Sequence, residues 1–502
     1  MSRAAHRVAF DLGAGSGRAV LGRVGPEGLG LEEVHRFHYG PREQASHLRW
    51  DMRRLLEGID QGLRAAGEAA GARGASVESV GVASWAVDYG LLDARGALLE
   101  DPIAYRDART AGVMERVFER VPRREIFDRT GIQFLALNTL YQLYAHAESG
   151  LPPAAARLLM IPDLCHHHLC GSLRGELTNA STTQLWNPAA GGWDAALLER
   201  LGLPAALLPE VVPAGTDLGP LRAELAAALG TRGARVLAPA THDTASAVAG
   251  TPLEEGWAYV SSGTWSLVGV ELRAPVLGEA AERANVTNEL GAFGTVRLLK
   301  NVMGLWLLES CRREWEAAGE PLALETLLAG AGALAGRDTF IAPDAQRFFN
   351  PDSMTGEIAA FLRETGQAVP ETPAGIVRVI LDSLALRYAS VLETLETLTG
   401  REIAGVHVVG GGALNRVLNQ ATADASGRPL RAGPVQATAA GNLLVQSLAA
   451  GEIVSLAEGR ALVARSGETA LFEPRESGAW AAARRRYREI EAAARRRGGE
   501  GP

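Results

Sequence analysis

Residues 237–269, LAPATHDTASAVAGTPLEEGWAYVSSGTWSLVG, decide how this chain folds. Val236, Leu237 and Ala238 form an apolar run that ends at Pro239. The chain then delivers Thr241-His242-Asp243-Thr244 into a small-residue helix start, Ala245-Ser246-Ala247. A second apolar run, 257–260, breaks at Ser261-Ser262-Gly263-Thr264 and resumes as Trp265-Ser266-Leu267-Val268-Gly269, the pattern of a hairpin with a small polar turn. One acidic side chain at a strand end therefore lies close in sequence to a hydroxyl-rich turn. That arrangement suits a carboxylate base facing a phosphate cradle.

The first element has the same plan. In 8–24, VAFDLGAGSGRAVLGRV, a G-x-G-x-x-G dinucleotide fingerprint would need its third glycine at Arg18, and a second strand rather than a helix follows. The segment reads as a β-hairpin whose turn, Ala14, Gly15, Ser16 and Gly17, can form an anion-binding nest, with Asp11 placed to hold Mg²⁺ through water. A plain hairpin explains the glycines but not the preceding Asp11. Two such hairpins in opposite halves give either a faint internal repeat of two α/β halves or the convergence of ordinary hairpins.

A length of 502 residues predicts two domains or three, and 47% hydrophobic residues suit a large α/β core. A net charge of −8 argues against a nucleic-acid or membrane-surface partner, and no apolar run approaches the roughly 18 residues of a membrane span. Three cysteines imply no disulfide framework, Asp11 so near the start argues against a signal peptide, and the cytoplasm is the expected compartment. Of 50 Lys plus Arg only Lys300 is lysine. It does not sit in Gly-Lys-Ser/Thr, so no Walker A loop exists, and the protein-kinase motif set is absent.

Residues 79–90 read as a buried strand opening into a polar aromatic loop, and 101–110 as a chemistry-rich loop before a helix. Trp85, Asp88, Arg106 and Asp107 offer what a sugar pocket uses, a ring to stack on and fixed polar partners; they are equally a core tryptophan and a surface ion pair. In Cys165-His166-His167-His168-Leu169-Cys170, three consecutive histidines cannot converge on one zinc, and a short helix is expected instead. Lys300-Asn301 is read as opening an amphipathic helix, with Met303, Leu307 and Cys311 on one face. Ile380, Leu384, Tyr388, Val391, Leu395 and Leu398 predict a long core helix ending at Gly400. A buried strand over 403–409 runs into Gly410-Gly411-Gly412-Ala413-Leu414-Asn415, where glycine lets backbone approach a flat ligand. A further close-packed helix starts near Ala437, and the Arg-rich end reads as an exposed charged helix and tail.

In this order the stretches resemble the FGGY carbohydrate kinases, from Asp11 to about Asn442. The resemblance implies an α/β fold of two ribonuclease H-like domains of the actin/hexokinase/Hsp70-like ATPase type, with a cleft between them. The expected divisions are 1–245 with the sugar pocket and first phosphate loop, 246–475 with the second phosphate loop and adenosine site, and 476–502 as a charged helix and tail. It also implies ATP-dependent phosphorylation of a ketose with Mg²⁺, the branch acting on O1 of L-rhamnulose being most similar and L-fuculose, xylulose or ribulose remaining alternatives. A non-catalytic actin-like ATP-binding module is a further alternative, and a monomer or homodimer is expected. Carried over by motif, Asp243 is the catalytic base. Ala14, Gly15, Ser16, Gly17, Arg18, Thr264, Glu309, Gly411, Gly412 and Asn415 bind ATP. Trp85, Ala86, Asp88, His242, Thr244 and Asn301 bind the sugar, and Asp11 serves the metal. The chain departs from the family pattern at Ala83 for an acid, Ala86 for glycine and Glu309 for glutamine.

Overall fold

The computed structural model describes residues 5–498 except 26, 232, 336, 337, 468 and 476. It divides into two compact units that interleave along the chain: Met1–Pro252, Glu271–Arg297 and Gln436–Gly467 form the first, and Leu253–Val270, Leu298–Val435 and Glu468–Pro502 the second. The expected division at 245 and the contiguous 246–475 segment differ from this, because two later stretches pack into the first unit.

In the first unit the sheet runs in the order Asp217–Pro220, Arg235–Leu237, Val77–Ser84, His6–Leu12, Ser16–Gly25, Gly28–His38. His6–Leu12 and Ser16–Gly25 are the expected hairpin, with Asp11 opposite Arg18. His6–Leu12 and Arg235–Leu237 flank Val77–Ser84 in parallel, while the two outer pairings are antiparallel. His6–Leu12 is buried along its whole length, as a central strand covered on both faces must be. One cover is the helix Met52–Ala72, capped by the Asp51 side chain, which sends Leu55, Ile59, Leu63 and Ala66 inward at helical spacing with no exposure. Each large aliphatic side chain so buried contributes about 1.5–3 kcal/mol.

The other cover is the helix Ala437–Ala449. Its Ala439, Ala440, Leu443 and Leu444 join Ala9 and Val20 in one apolar cluster. Its two fully buried amides reach the sheet backbone, Asn442 Nδ2 donating to Gly81 O (3.1 Å) and Gln446 Nε2 to Val8 O (3.0 Å). This burial draws 436–467 into the first unit. The same helix crosses the short helix Asp243–Ala249 at Gly441, where a Cβ would lie 1.8 Å from Ser246 O. Only glycine permits that approach.

In the second unit the strand order is Val296–Met303, Trp265–Leu272, Trp257–Ser262, Gly405–Val409, Leu430–Ala432, Ala470–Phe472. Trp257–Ser262 is antiparallel to Trp265–Leu272 and parallel to Gly405–Val409, which is parallel to Leu430–Ala432, itself antiparallel to Ala470–Phe472. This is the succession of directions found in the first unit, so the two hairpins belong to a true structural repeat. The long helix Pro373–Thr399 forms the core of this unit and ends at Gly400 in the left-handed region, φ 65°.

Two local expectations are corrected. Lys300 and Asn301 do not open a helix; they lie in the strand Val296–Met303, and the helix begins at Trp306. The run Val296, Leu298, Leu299, Val302 pairs into a sheet, where side-chain packing overrides local propensity. The C-terminal helix Ser477–Gly498 is not merely exposed. Trp480 and Tyr487, seven residues apart on one face, are buried, and Glu491 is ion-paired with Arg387 at 2.5 Å. No helix among the described residues is long and apolar enough to cross a membrane.

Candidate active site

In the first unit the parallel strands end together. Leu12 is in register with Ser84, and Ser84 forms a parallel bridge to His242. Ser84 N–H donates to Thr241 O at 2.8 Å. The carboxyl ends of adjacent parallel strands are where open α/β sheets place ligands. The structure thus brings together the first turn, the 84–88 loop and 242–244.

Asp243 is the first residue of the helix Asp243–Ala249, with His242 as N-cap. Its Oδ1 accepts from Thr244 N (2.5 Å) and Thr244 Oγ1 (3.1 Å), and His242 Nε2 stands 3.4 Å away. About 30% of its side chain remains accessible. Its carboxyl pKa is raised, first by desolvation and then by the nearby Asp11 carboxylate, against the lowering effects of His242 and Thr244. An accessible carboxylate with a raised pKa is suited to taking a proton.

The peptide carrying this group is pinned by Glu176, which sequence reading missed. The fully buried carboxylate accepts from Thr241 N (2.9 Å), Thr241 Oγ1 (2.8 Å), Thr178 N (3.0 Å) and Thr178 Oγ1 (2.6 Å). Thr178 Oγ1 in turn accepts from His242 N at 3.2 Å. Glu176 lies 65 residues before Thr241, and no local motif marks it.

Asp11 is paired with Arg18 at 2.5 Å, so the arginine expected at phosphate rests against the carboxylate expected at metal. In the turn Gly13 N–H donates to Ser16 O (2.9 Å), and Tyr39 O–H donates to Gly13 O (2.7 Å), a buried brace also missed from sequence.

The 84–88 loop holds a correction. Asp88 is fully buried and does not reach out to a sugar. Its Oδ2 accepts from Trp50 Nε1 (2.7 Å), Trp85 Nε1 (3.0 Å) and Tyr105 N (3.3 Å), and its Oδ1 from Gln142 Nε2 (2.9 Å). Burial outweighs these four donors and lifts its pKa to about 6. Asp88 therefore orients the indoles, and Trp50 and Trp85 pack with centroids 4.4 Å apart. Asp107 is likewise committed, accepting from Leu48 N (2.7 Å) and Arg109 N (2.9 Å). Asp88 N–H donates to Ala86 O across Val87, whose φ is +69°. This is a strained γ-turn on a β-branched residue, and such strain gathers at ligand sites. Ala86 and Val87 are the partly exposed members of the loop.

In the histidine run, a helix forms as expected over Ile161–Cys170. His166 Nε2 accepts from Val82 N (3.1 Å), His167 meets Gly96 O (2.9 Å) and His168 pairs with Asp60 (2.8 Å), so the three rings diverge.

In the second unit the turn 262–265 is closed by Gly263 N–H to Trp265 O (2.8 Å). Leu305 N–H donates to Gly263 O (3.0 Å) and Trp306 N–H to Thr264 O (3.1 Å), seating the helix Trp306–Ala317 on the turn. Gly412 lies against the same turn, where a Cβ would meet Ser262 Oγ at 2.0 Å. Thr264, Gly411 and Gly412 are thus brought together. Asn415 caps the helix Arg416–Ser426 through Leu418 N (3.0 Å), and Glu309 is half-exposed beside Arg312 (2.9 Å). Asn301 is half-buried on its strand.

Models of the FGGY family of carbohydrate kinases match this chain, the N-terminal domain over residues 7–250 and the C-terminal domain over 258–450. The chain belongs to the FGGY family of carbohydrate kinases. This FGGY kinase is 42% identical to a rhamnulokinase of Bacteroides thetaiotaomicron over 95% of the chain and 97% of that protein. It is 39% identical to a rhamnulokinase of Bacillus subtilis over 93% of the chain and 95% of that protein. Among solved structures it is similar to a xylulose kinase from Lactobacillus acidophilus (TM-score 0.78, 14% identity, 98% of each chain). It is also similar to the Plasmodium falciparum glycerol kinase with ADP (TM-score 0.75, 14% identity, 99% of this chain and 98% of that one). The enzyme is a two-domain α/β carbohydrate kinase with a sugar and ATP as substrates.

Proposed function

We propose that this FGGY kinase transfers the γ-phosphoryl group of ATP to O1 of L-rhamnulose in the cytoplasm, with Asp243 as general base. The observation that carries the role of Asp243 is its setting: a part-accessible carboxylate at a strand-to-helix junction, with one oxygen already engaged and its pKa raised. Near-full-length similarity to rhamnulokinases supports the sugar.

Asp243 takes the proton from O1 as that oxygen attacks the γ-phosphorus, and ADP departs with the electron pair of the broken P–O bond. His242, Thr244, Trp85 and Ala86, all of the first unit, hold the sugar; Asp88 and Glu176 keep the Trp85 and Thr241 segments in place. In the first unit the backbone N–H groups of 14–17 suit phosphate oxygens; in the second, taken by itself, those of the Thr264 turn suit phosphate and Gly411 and Gly412 suit adenosine. Asp11 and Asp243 repel each other, a setting that a divalent cation relieves, so Asp11 fits as the residue that holds Mg²⁺ through water. When bound, Mg²⁺ neutralises phosphate charge.

Coupled ADP release across a panel of ketoses tests the reading. L-Rhamnulose is expected to give the highest kcat/KM, and Asp243→Asn to lower kcat by about 10²–10⁴ while ATP still binds. A preferred sugar other than L-rhamnulose, or wild-type kcat in Asp243→Asn, refutes it.

A further inference from the structure

Arg297, on the strand Val296–Met303, has no exposed surface, yet its charge sits against His242, the residue just before the proposed base. Its Nη2 lies 3.1 Å from His242 Nδ1, 3.1 Å from Glu289 Oε2 and 3.3 Å from Leu290 O. A guanidinium stays charged and can only donate. The contact with Nδ1 therefore requires a lone pair there, and a neutral imidazole with its lone pair at Nδ1 carries its proton at Nε2. Nε2 faces Asp243 Oδ1 at 3.4 Å. Glu289 Oε2 stands 3.3 Å from Nδ1 and would favour the opposite tautomer, but the guanidinium lies nearer to both and takes up the carboxylate's charge.

We propose that Arg297, balanced by Glu289, is a positioning residue that fixes the Nε2–H tautomer of His242 and so reserves Asp243 Oδ2 for the substrate proton. Thr244 N and Thr244 Oγ1 both donate to Oδ1, and in this tautomer the His242 Nε2–H dipole, 3.4 Å away, adds electrostatic support on the same side. They stabilise the ionised carboxylate and fix its rotation, leaving Oδ2 to take the proton of the sugar hydroxyl. The other tautomer would set a lone pair against Oδ1, repelling the charge that the base must hold. The kinetic part rests on the proposed function; the tautomer does not.

Nitrogen-15 NMR of the full-length protein with labelled histidine reads the tautomer directly. The His242 resonances are assigned by their loss in His242→Gln. The wild type is expected to show a lone-pair nitrogen at Nδ1 and an N–H at Nε2; an N–H at Nδ1 overturns the proposal whatever the enzyme turns over. Arg297→Met is expected to move the proton to Nδ1, facing Glu289, and to lower kcat about tenfold or more with KM for ATP little changed. An unchanged tautomer or an unchanged kcat in that folded variant overturns it. Should Arg297→Met not fold, His242→Gln and His242→Asn decide the kinetic part. Gln places an amide N–H near Nε2 and is expected to retain more kcat than Asn, and the reverse order overturns the proposal. Absence of sugar turnover in the wild type would instead sink the proposed function and leave the tautomer standing.

Discussion

Gly441→Ala sets two known effects against each other. In a helix interior alanine is favoured over glycine by about 1 kcal/mol, so propensity alone predicts stabilisation. The structure predicts the opposite. A Cβ on Gly441 would lie 1.8 Å from Ser246 O, 2.7 Å from Ser246 C and 2.8 Å from Gly250 N. A carbon packs against an oxygen at roughly 3.3–3.6 Å, so the helices must part by about 1.5 Å. All three neighbours are backbone, and no rotamer change relieves them. Overpacking costs about 1–3 kcal/mol, and the upper end applies here. The net is a loss of about 1–2 kcal/mol and a Tm lower by roughly 2–6 °C. Ser246 is one turn beyond Asp243, and Ser246 N–H donates to His242 O at 3.0 Å. The displacement therefore reaches the proposed base, and a shift of about 1 Å at a reacting group can cost about 10²-fold. Thermal melts and coupled ADP release measure both effects. A raised Tm with wild-type kcat would refute the close crossing as the element that positions Asp243.

Two further perturbations probe the supports of the site. Burial raises the Asp88 pKa in the folded protein from its ordinary 3.8 to about 6, so the folded state holds its proton more tightly. Its contribution to stability is present at acid pH and is lost as pH rises through about 6. Urea melts from pH 4.5 to 7.5 should show wild type losing stability relative to Asp88→Asn; a difference independent of pH refutes the assignment. Glu176→Gln replaces an acceptor of four hydrogen bonds with an amide that must turn a donor toward them. It is expected to destabilise by about 1–3 kcal/mol and to lower kcat, as read by the same melts and assay, and unchanged values of both refute its role.

Local patterns sufficed for much of the fold. The alternation of apolar runs with Gly-Ser turns at 13–17 and 261–264 determined both hairpins, since a turn's backbone demands act within a few residues. The 3–4 spacing up to Gly400 determined the long helix, and the strand-to-helix step at 241–243 marked Asp243 as the base candidate. Other features depended on chain segments far apart in sequence. Whether Asp88 offers its oxygens to a ligand turned on Trp50 and Gln142, 38 and 54 residues away. Lys300 became a strand residue because a sheet was there to pair with. Glu176 and Arg297, 65 and 55 residues from the Thr241-His242 pair they hold, carry no local signature at all. The sequence by itself determined the hairpins and the core helices and singled out Asp243 as the proposed base. Only the tertiary structure decided which buried charges hold it in place, because hydrogen bonds between distant segments exist only once the chain has folded.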